Sequence, residues 1–250
     1  MQEGATLLVA VGGDGTVNEV ANGLVGVEHA ELAVVPRGTG GDFVRTFGIP
    51  SKLEDAVRVA LEGKTRAIDL GRAEYRSPDG RQGESYFANI ASAGMSGAVA
   101  KRTSETTRAP LGGKVAYLWS TIVVFSGWKN TEMNVTVDGE TRSGPMFDVI
   151  VANCRYLAGG MKIAPDAEPD DGLFDVLLIG DVSKLDLALT MPRIYRGTHL
   201  PHPRAELLRG ASVTVDAAKP LPVELDGEQP GTTPVRFDVA PGALRLRVPA

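Results

Sequence analysis

The residues that could do chemistry fall into three kinds of stretch. Gly12-Gly13-Asp14-Gly15-Thr16 and Arg37-Gly38-Thr39-Gly40-Gly41-Asp42 mix glycine with acidic and hydroxyl side chains. Glycine lets the main chain approach an anion closely, and the N–H groups of such a turn point outward to receive it. Glu168, Asp170 and Asp171 crowd into one short acidic segment. Packed carboxylates repel unless a cation or protons separate them, and hard oxygen ligands suit Mg²⁺. On the residues alone, a bound cation and a solvated acidic turn are equally good readings of that segment. Two Asp-Gly-Glu triplets, Asp138-Gly139-Glu140 and Asp226-Gly227-Glu228, complete the set. Asp-Gly between strands is first of all a hairpin-turn signal.

The elements around these stretches give them direction. Leu7 to Val11 is an apolar run of strand length, and from Val17 the apolar residues Val17, Val20, Ala21 and Leu24 fall on one helix face. Thr16 is expected to cap that helix, with Glu19 completing a capping box. Strand, glycine turn and helix start in succession form a phosphate-binding layout. Three glycines, an Asp and a Thr in five positions are more than a plain capped turn needs. The pattern is neither the P-loop nor the spaced dinucleotide fingerprint. A second unit repeats the order: strand Leu32 to Val35, glycine loop, then a helix from Phe43 stopped by Gly48 and Pro50. Two such units imply parallel strands joined by a right-handed crossover, with both loops at the carboxyl edge where open α/β sheets bind ligands.

Leu53 to Leu61 reads as a short amphipathic helix and Thr65 to Leu70 as a strand. Beyond Gly71 the pattern becomes alternating strands: 85–90, 133–137, 147–151, 174–179, 212–215, 236–239 and 243–248. The fold class is therefore α/β plus all-β, with an α/β nucleotide-binding unit over residues 1–68, a β-sandwich over 69–250, and the cleft between them as the expected site. Residues 101–113 read as a polar loop. Lys114 to Trp128 reads as a core helix, with a lipid-facing surface as the rival suggested by Trp119, Phe125 and Trp128. Leu185 to Tyr195 is a structural helix.

With 250 residues, 43% hydrophobic, the chain can bury a full core. A net charge of −5 argues against nucleic acid as partner. A single cysteine, Cys154, excludes an internal disulfide and fits a reducing cytoplasm. The longest apolar run is too short to span a bilayer, so membrane contact is expected to be peripheral. The histidines show no ligand spacing. A homodimer is left open.

The stretches GGDGTVNEVANGL, VVPRGTGGDFVRTFGIP, GGMKIAPDAEPDDGLFDVLLI and VELDGEQPGTTPVRFDVAPGALRLRVP together resemble the diacylglycerol kinase catalytic family. The resemblance implies transfer of the γ-phosphate of ATP to the hydroxyl of diacylglycerol or a related lipid, with Mg²⁺. It implies ATP phosphates over Gly12, Gly13, Asp14, Gly15, Thr16, Asn18 and Glu19, with Thr39 beside them and Asp14 holding the catalytic Mg²⁺. Asp42 and Asp69 are further candidates at the cleft mouth, and Arg45 is the cation expected near phosphate. Glu228 is implied as the base, with Asp226 orienting it or the metal, and Glu140 as a turn residue. A second, structural Mg²⁺ is implied at Glu168, Asp171 and the backbone of Leu173. The sequence departs from the family in having Gly41 where Asn is usual, and in lacking the Asn-Pro-x-Ser-Gly unit ahead of Gly12. The α/β unit is therefore expected to be N-terminally incomplete. Another kinase with the same first loop, such as an NAD kinase, and an inactive nucleotide- or lipid-binding homologue are the competing readings.

Overall fold

The computed structural model describes residues 5–38, 40–106 and 113–250, so Thr39 lies outside the described residues. The chain opens with β1 (Leu7–Gly12), α1 (Asp14–Leu24), β2 (Glu31–Pro36), α2 (Asp42–Thr46) and α3 (Leu53–Glu62). It continues through β3 (Lys64–Arg76), β4 (Gln82–Phe87), β5 (Ile90–Gly94), α4 (Met95–Thr106) and α5 (Gly113–Gly127). Then come β6 (Thr131–Val137), β7 (Glu140–Met146), β8 (Asp148–Ala152), β9 (Phe174–Ile179) and α6 (Lys184–Arg196). The last strands are β10 (Ala205–Gly210), β11 (Ser212–Ala217), β12 (Pro222–Leu225) and β13 (Glu228–Val248).

β1 and β2 are parallel, in register from Leu7 opposite Glu31 to Gly12 opposite Pro36. β1 is an edge strand whose Val9 and Val11 are exposed, while Ala10 turns inward. The inward residues meet Val17, Ala21 and Leu24 of α1 and Phe43 of α2 in one apolar core. The remaining strands run mainly antiparallel, in the order β10-β9-β8-β5-β12-β13-β11-β6-β7. Their inner faces close around Phe87, Phe174 and Phe237, with Phe87 stacked on Phe174 at 5.6 Å and edge-on to Phe237 at 5.9 Å. A third core, holding Ile150, Leu177 and Ile194, lies under α6.

The two halves are less separable than the change of pattern at Gly71 suggests. β3 runs unbroken across the expected boundary, with Ile68 and Leu70 in the first core and Ala73 and Tyr75 in the second. β13 is one strand where 236–239 and 243–248 are expected as two, and its register against β3 shifts between Ala240 and Leu244. Its end pairs parallel with β2, Arg245 opposite Glu31 and Leu246 opposite Leu32. Leu244, Leu246 and Val248 thereby join the core of the first half. A central parallel strand needs a neighbour on each side to pair its backbone groups, and the last strand of the chain supplies one of them.

Three local expectations are corrected. α1 begins at Asp14 with Gly13 as its N-cap and no side-chain cap bond, so the Thr16–Glu19 capping box does not form. Thr16 instead packs against Gly12, where a Cβ would collide with its Oγ1. α4 extends to Thr106 where a loop is expected from Lys101, because Val99 and Ala100 are buried and Asp148 binds its first turn. α5 is helical as expected but not buried: Ala116 and Ser120 face inward while Leu118, Trp119 and Ile122 face solvent. Among the described residues no helix is long and apolar enough to cross a membrane.

Candidate active site

The two glycine loops meet backbone to backbone. A Cβ on Gly13 would lie 3.0 Å from the Cα of Gly38, and one on Gly38 would strike the Cα of Gly13. Arg37 N–H donates to the Gly12 carbonyl at 2.8 Å. No side chain could be accommodated on either residue without separating the loops, which is the physical reason for glycine at both. Asp14 then reaches across. Its carboxylate accepts from the N–H groups of Gly41 (2.9 Å), Asp42 (3.3 Å) and Phe43 (3.1 Å). The first loop thus caps the helix that follows the second, which places Asp42 beside Asp14.

Both carboxylates line a cavity of about 190 Å³ between the two halves, together with Asn89, Ser96, Tyr117, Glu224 and Asp226. Asp42 is buried; it accepts from Arg45 Nη1 and from Gly159 N–H, both at 2.7 Å. Burial, reinforced by the neighbouring Asp14, raises its pKa. Asp226 accepts from Ala88 N–H (2.7 Å), Asn89 N–H (3.0 Å) and Ile90 N–H (2.9 Å), and from Asn18 Nδ2 at 2.8 Å. Burial pushes Asp226 upward against the pull of these four donors. Glu224, two residues earlier, accepts from Ser92 Oγ at 2.9 Å and from Gly227 N–H. Burial raises it to about 8. Tyr117 rises to about 12, through burial and then through the negative charges of Glu224 and Asp42. Asn89 Oδ1 is buried without a hydrogen-bond partner.

A second cavity, of about 250 Å³, lies directly behind. Ser96, Tyr117 and Leu157 line both. Apart from Thr121 and Asp148, the rest of its wall is apolar, from α4 (Met95, Val99), α5 (Phe125), β8 (Ile150) and α6 (Leu187, Met191). Asp148, buried at its edge, accepts from Ser96 N–H at 2.9 Å and from Ser96 Oγ. Burial raises it to about 7. A larger surface groove of about 410 Å³ crosses β3, β11 and β13. Several of its charges are already paired, as in Arg236–Asp238 at 2.7 Å, and neither glycine loop borders it.

Several expected site residues are committed elsewhere. Asn18 spends its amide on Asp226 and on the Tyr86 carbonyl (3.1 Å), tying α1 to the other half. Asp69 is buried, away from the cavity, accepting from Gly172 N–H and Gly242 N–H at 2.8 Å each. Arg45 holds Asp42 and lies 5.4 Å over the Tyr156 ring. Glu19 is exposed on α1. The acidic turn is paired with arginines: Glu168 with Arg155 (2.6 Å), Asp170 bidentate with Arg66 (2.7 and 2.6 Å), and Asp171 with Arg209 and the Leu173 N–H (3.0 Å). Among the described residues no cluster of three or more His, Cys, Asp or Glu is arranged to hold a metal. Glu228 is exposed at the start of β13, next to Gly227, which lines the cavity. Ser96, Asn89, Tyr117, Asp148 and Glu224 were not singled out from sequence. The legible signal was a lone acid inside an apolar strand, at Asp148 in Phe147–Val151 and at Glu224 in Leu221–Leu225.

Comparison with known proteins decides the family. The diacylglycerol kinase catalytic domain model matches residues 1–73, and the YegS C-terminal NAD kinase beta sandwich-like domain model matches residues 89–248. A diacylglycerol kinase of Staphylococcus carnosus is 30% identical over 95% of this chain and 74% of its own length. The chain belongs to the diacylglycerol kinase family. Members from Staphylococcus aureus are 29% identical over 95% of this chain and 72% of their own. The crystal structure of a candidate diacylglycerol kinase from Bacillus anthracis superposes with a TM-score of 0.77 at 26% identity, covering 97% of this chain and 76% of that one. Yeast NADH kinase shares the fold at a TM-score of 0.56 and 13% identity, over 97% of this chain and 60% of that one.

The residues fit the magnesium nucleotide that a kinase of this family implies. The first N–H groups of α1 carry no side-chain cap, and the space beyond Gly15 is open. Asp14 and Asp42 present hard oxygens to one cavity, where a divalent cation would relieve the repulsion of two adjacent carboxylates.

Proposed function

We propose that this cleft transfers the γ-phosphate of ATP to the hydroxyl of diacylglycerol or a related lipid. One observation carries the reading: an acid-lined polar cavity and an apolar cavity share the wall formed by Ser96, Tyr117 and Leu157. A molecule with a hydroxyl at the end of a hydrocarbon body matches that pair; a dinucleotide does not.

Phosphoryl transfer rests on alignment and charge neutralisation rather than covalent chemistry by the protein. Gly12 to Thr16 and the start of α1 receive the phosphates. Asp14 and Asp42 would hold a magnesium ion, which would supply neutralisation of charge on the transferring group. Glu228 accepts the proton of the attacking hydroxyl, and Asp226 holds the turn that carries it. Peripheral contact with a membrane brings the lipid to the apolar cavity.

The test is to incubate the chain with γ-labelled ATP, Mg²⁺ and diacylglycerol in mixed micelles. Labelled phosphatidic acid is expected, and Asp42→Asn should abolish it. Label entering NAD faster than lipid would reject the reading.

A further inference from the structure

One serine stands where the two cavities meet, and one buried acid holds it. Ser96 lines both cavities from the first turn of α4. Beneath it lies Asp148, 2% exposed at the start of β8. Opposite Asp148, at the end of β5, is Gly94, with φ of 139°. A Cβ there would lie 2.7 Å from Asp148 Oδ1, so glycine is what lets α4 start directly over the carboxyl. Asp148 Oδ2 accepts from Ser96 N–H at 2.9 Å and is bonded to Ser96 Oγ, while Oδ1 takes the Val149 N–H at 3.2 Å. No cation pairs with Asp148 among the described residues. A carboxyl buried without a countercharge resists ionisation.

A hydroxyl has one proton and two lone pairs. When Asp148 keeps its proton, it donates to Ser96 Oγ, and the serine's own O–H turns to the cavity. When Asp148 ionises, it takes the serine's hydrogen bond, and only lone pairs face the cavity. The pair therefore chooses between a ligand that accepts and a ligand that donates. Thr121, the other aliphatic hydroxyl of the apolar cavity, is spent on the Tyr117 carbonyl at 2.9 Å. The Tyr117 phenol is turned to the acids of the polar cavity, whose Glu224 and Asp42 help to raise it. In an acyl lipid the group between the reacting hydroxyl and the hydrocarbon is an ester, and its carbonyl only accepts. The order hydroxyl, ester, hydrocarbon matches the order acid-lined cavity, Ser96, apolar cavity.

We propose that Ser96, held by Asp148, determines specificity by donating its hydroxyl proton to the ester carbonyl beside the reacting hydroxyl. Asp148 is a positioning residue that acts only through Ser96. The proposal rests on the lipid-kinase reading for the place of the reacting hydroxyl. Burial raises Asp148 to about 7, so the preference for an ester is larger at pH 6 than at pH 8. Glu224 on β12 and Tyr117 on α5 are the ionisable groups that face Asp148. β5 and the cavity-lining residues of α4, β9 and α6 add none. The intact protein is assayed with dioctanoylglycerol, a diester, and with dioctylglycerol, the diether that lacks both carbonyls. Binding of each is also measured by calorimetry without ATP. Ser96→Ala should raise the KM of the diester relative to the diether by roughly three- to tenfold, the worth of one neutral hydrogen bond. Ser96→Thr, which keeps the hydroxyl, should retain the parent ratio. Asp148→Asn introduces an amide that always donates to Ser96, so the ester preference of pH 6 should persist at pH 8. In Glu224→Gln the decline with pH should remain.

An unchanged KM ratio in Ser96→Ala, with the diether still phosphorylated, would overturn the contact and leave the kinase reading standing. Binding that separates the two lipids through Ser96, with no phosphate transferred by the parent protein, would do the reverse. A decline with pH that Asp148→Asn leaves intact, or that Glu224→Gln abolishes, would also overturn the contact. So would a long-chain amino alcohol that outcompetes the diester at pH 8 and loses that advantage in Asp148→Asn, since Asp148 would then be the counter-ion of an ammonium.

Discussion

The same three residues, Asp-Gly-Glu, turn the chain at 138–140 and at 226–228, and the backbone is nearly the same in both. Asp138 and Asp226 have φ of 46° and 49°; Gly139 and Gly227 have 92° and 95°. Both aspartates fold back onto backbone N–H groups. Asp138 takes Ala211 (3.0 Å) and Ser212 (2.8 Å), at an exposed end of the sandwich. Asp226 takes three N–H groups from the β4–β5 junction and the amide of Asn18 on α1, in the wall of the acid-lined cavity. Two residues upstream the first turn has Thr136, bonded to Thr141 at 2.9 Å, and the second has buried Glu224, bonded to the Gly227 N–H. Identical local chemistry makes a surface hairpin in one place and a wall of the candidate site in the other. The difference lies wholly in what the fold packs against each turn.

The largest separation is expected from the same substitution in both turns. Asp226→Asn should cost about 3 kcal/mol in urea unfolding, because a half-buried carboxylate serving four donors is replaced by a group that also donates. Asp138→Asn should cost at most about 1 kcal/mol. Equal losses would show that the two turns are energetically alike. Next come the glutamates. Glu228→Gln should lower lipid phosphorylation by about 10² to 10⁴ with an unchanged unfolding midpoint, the range for removing a general base. Glu140→Gln, at an exposed carboxylate 3.4 Å from Arg142, should change neither. Full turnover by Glu228→Gln would remove that residue as the base.

The smallest effect concerns pH. Burial pushes the Glu224 carboxyl up to about 8 in the folded state, from an ordinary value of 4.5. Between those values the folded state keeps a proton that the unfolded state has lost, so this group's contribution to stability falls as pH rises through that window. Glu224→Gln should flatten the decline in thermal midpoint between pH 5 and pH 8, and Thr136→Val should not alter it. An unaltered slope in Glu224→Gln would place the ionisation elsewhere.

Much of the first half was readable because its information is local. An apolar run followed by glycines and an amphipathic stretch specifies strand, loop and helix within a few residues, and two such units require parallel strands. The touching backbones of Gly13 and Gly38 follow from that arrangement. The sandwich strands at 133–137, 174–179 and 212–215 were legible from alternation in the same way. The exposure of α5 was not legible, since a helix apolar on most faces reads as buried until its neighbours are known.

The residues by themselves determined the glycine loops, the edge at which they lie and the turn conformation of both Asp-Gly-Glu triplets, because each depends on backbone preferences over a handful of positions. Tertiary structure alone decided that Asp14 caps α2, that the arginines pair with the acidic turn, and that Asp226 rather than Asp138 meets α1 across 208 residues of chain. Burial and distant partners set the pKa and the bonding of a carboxylate, and neither is written in its immediate neighbours.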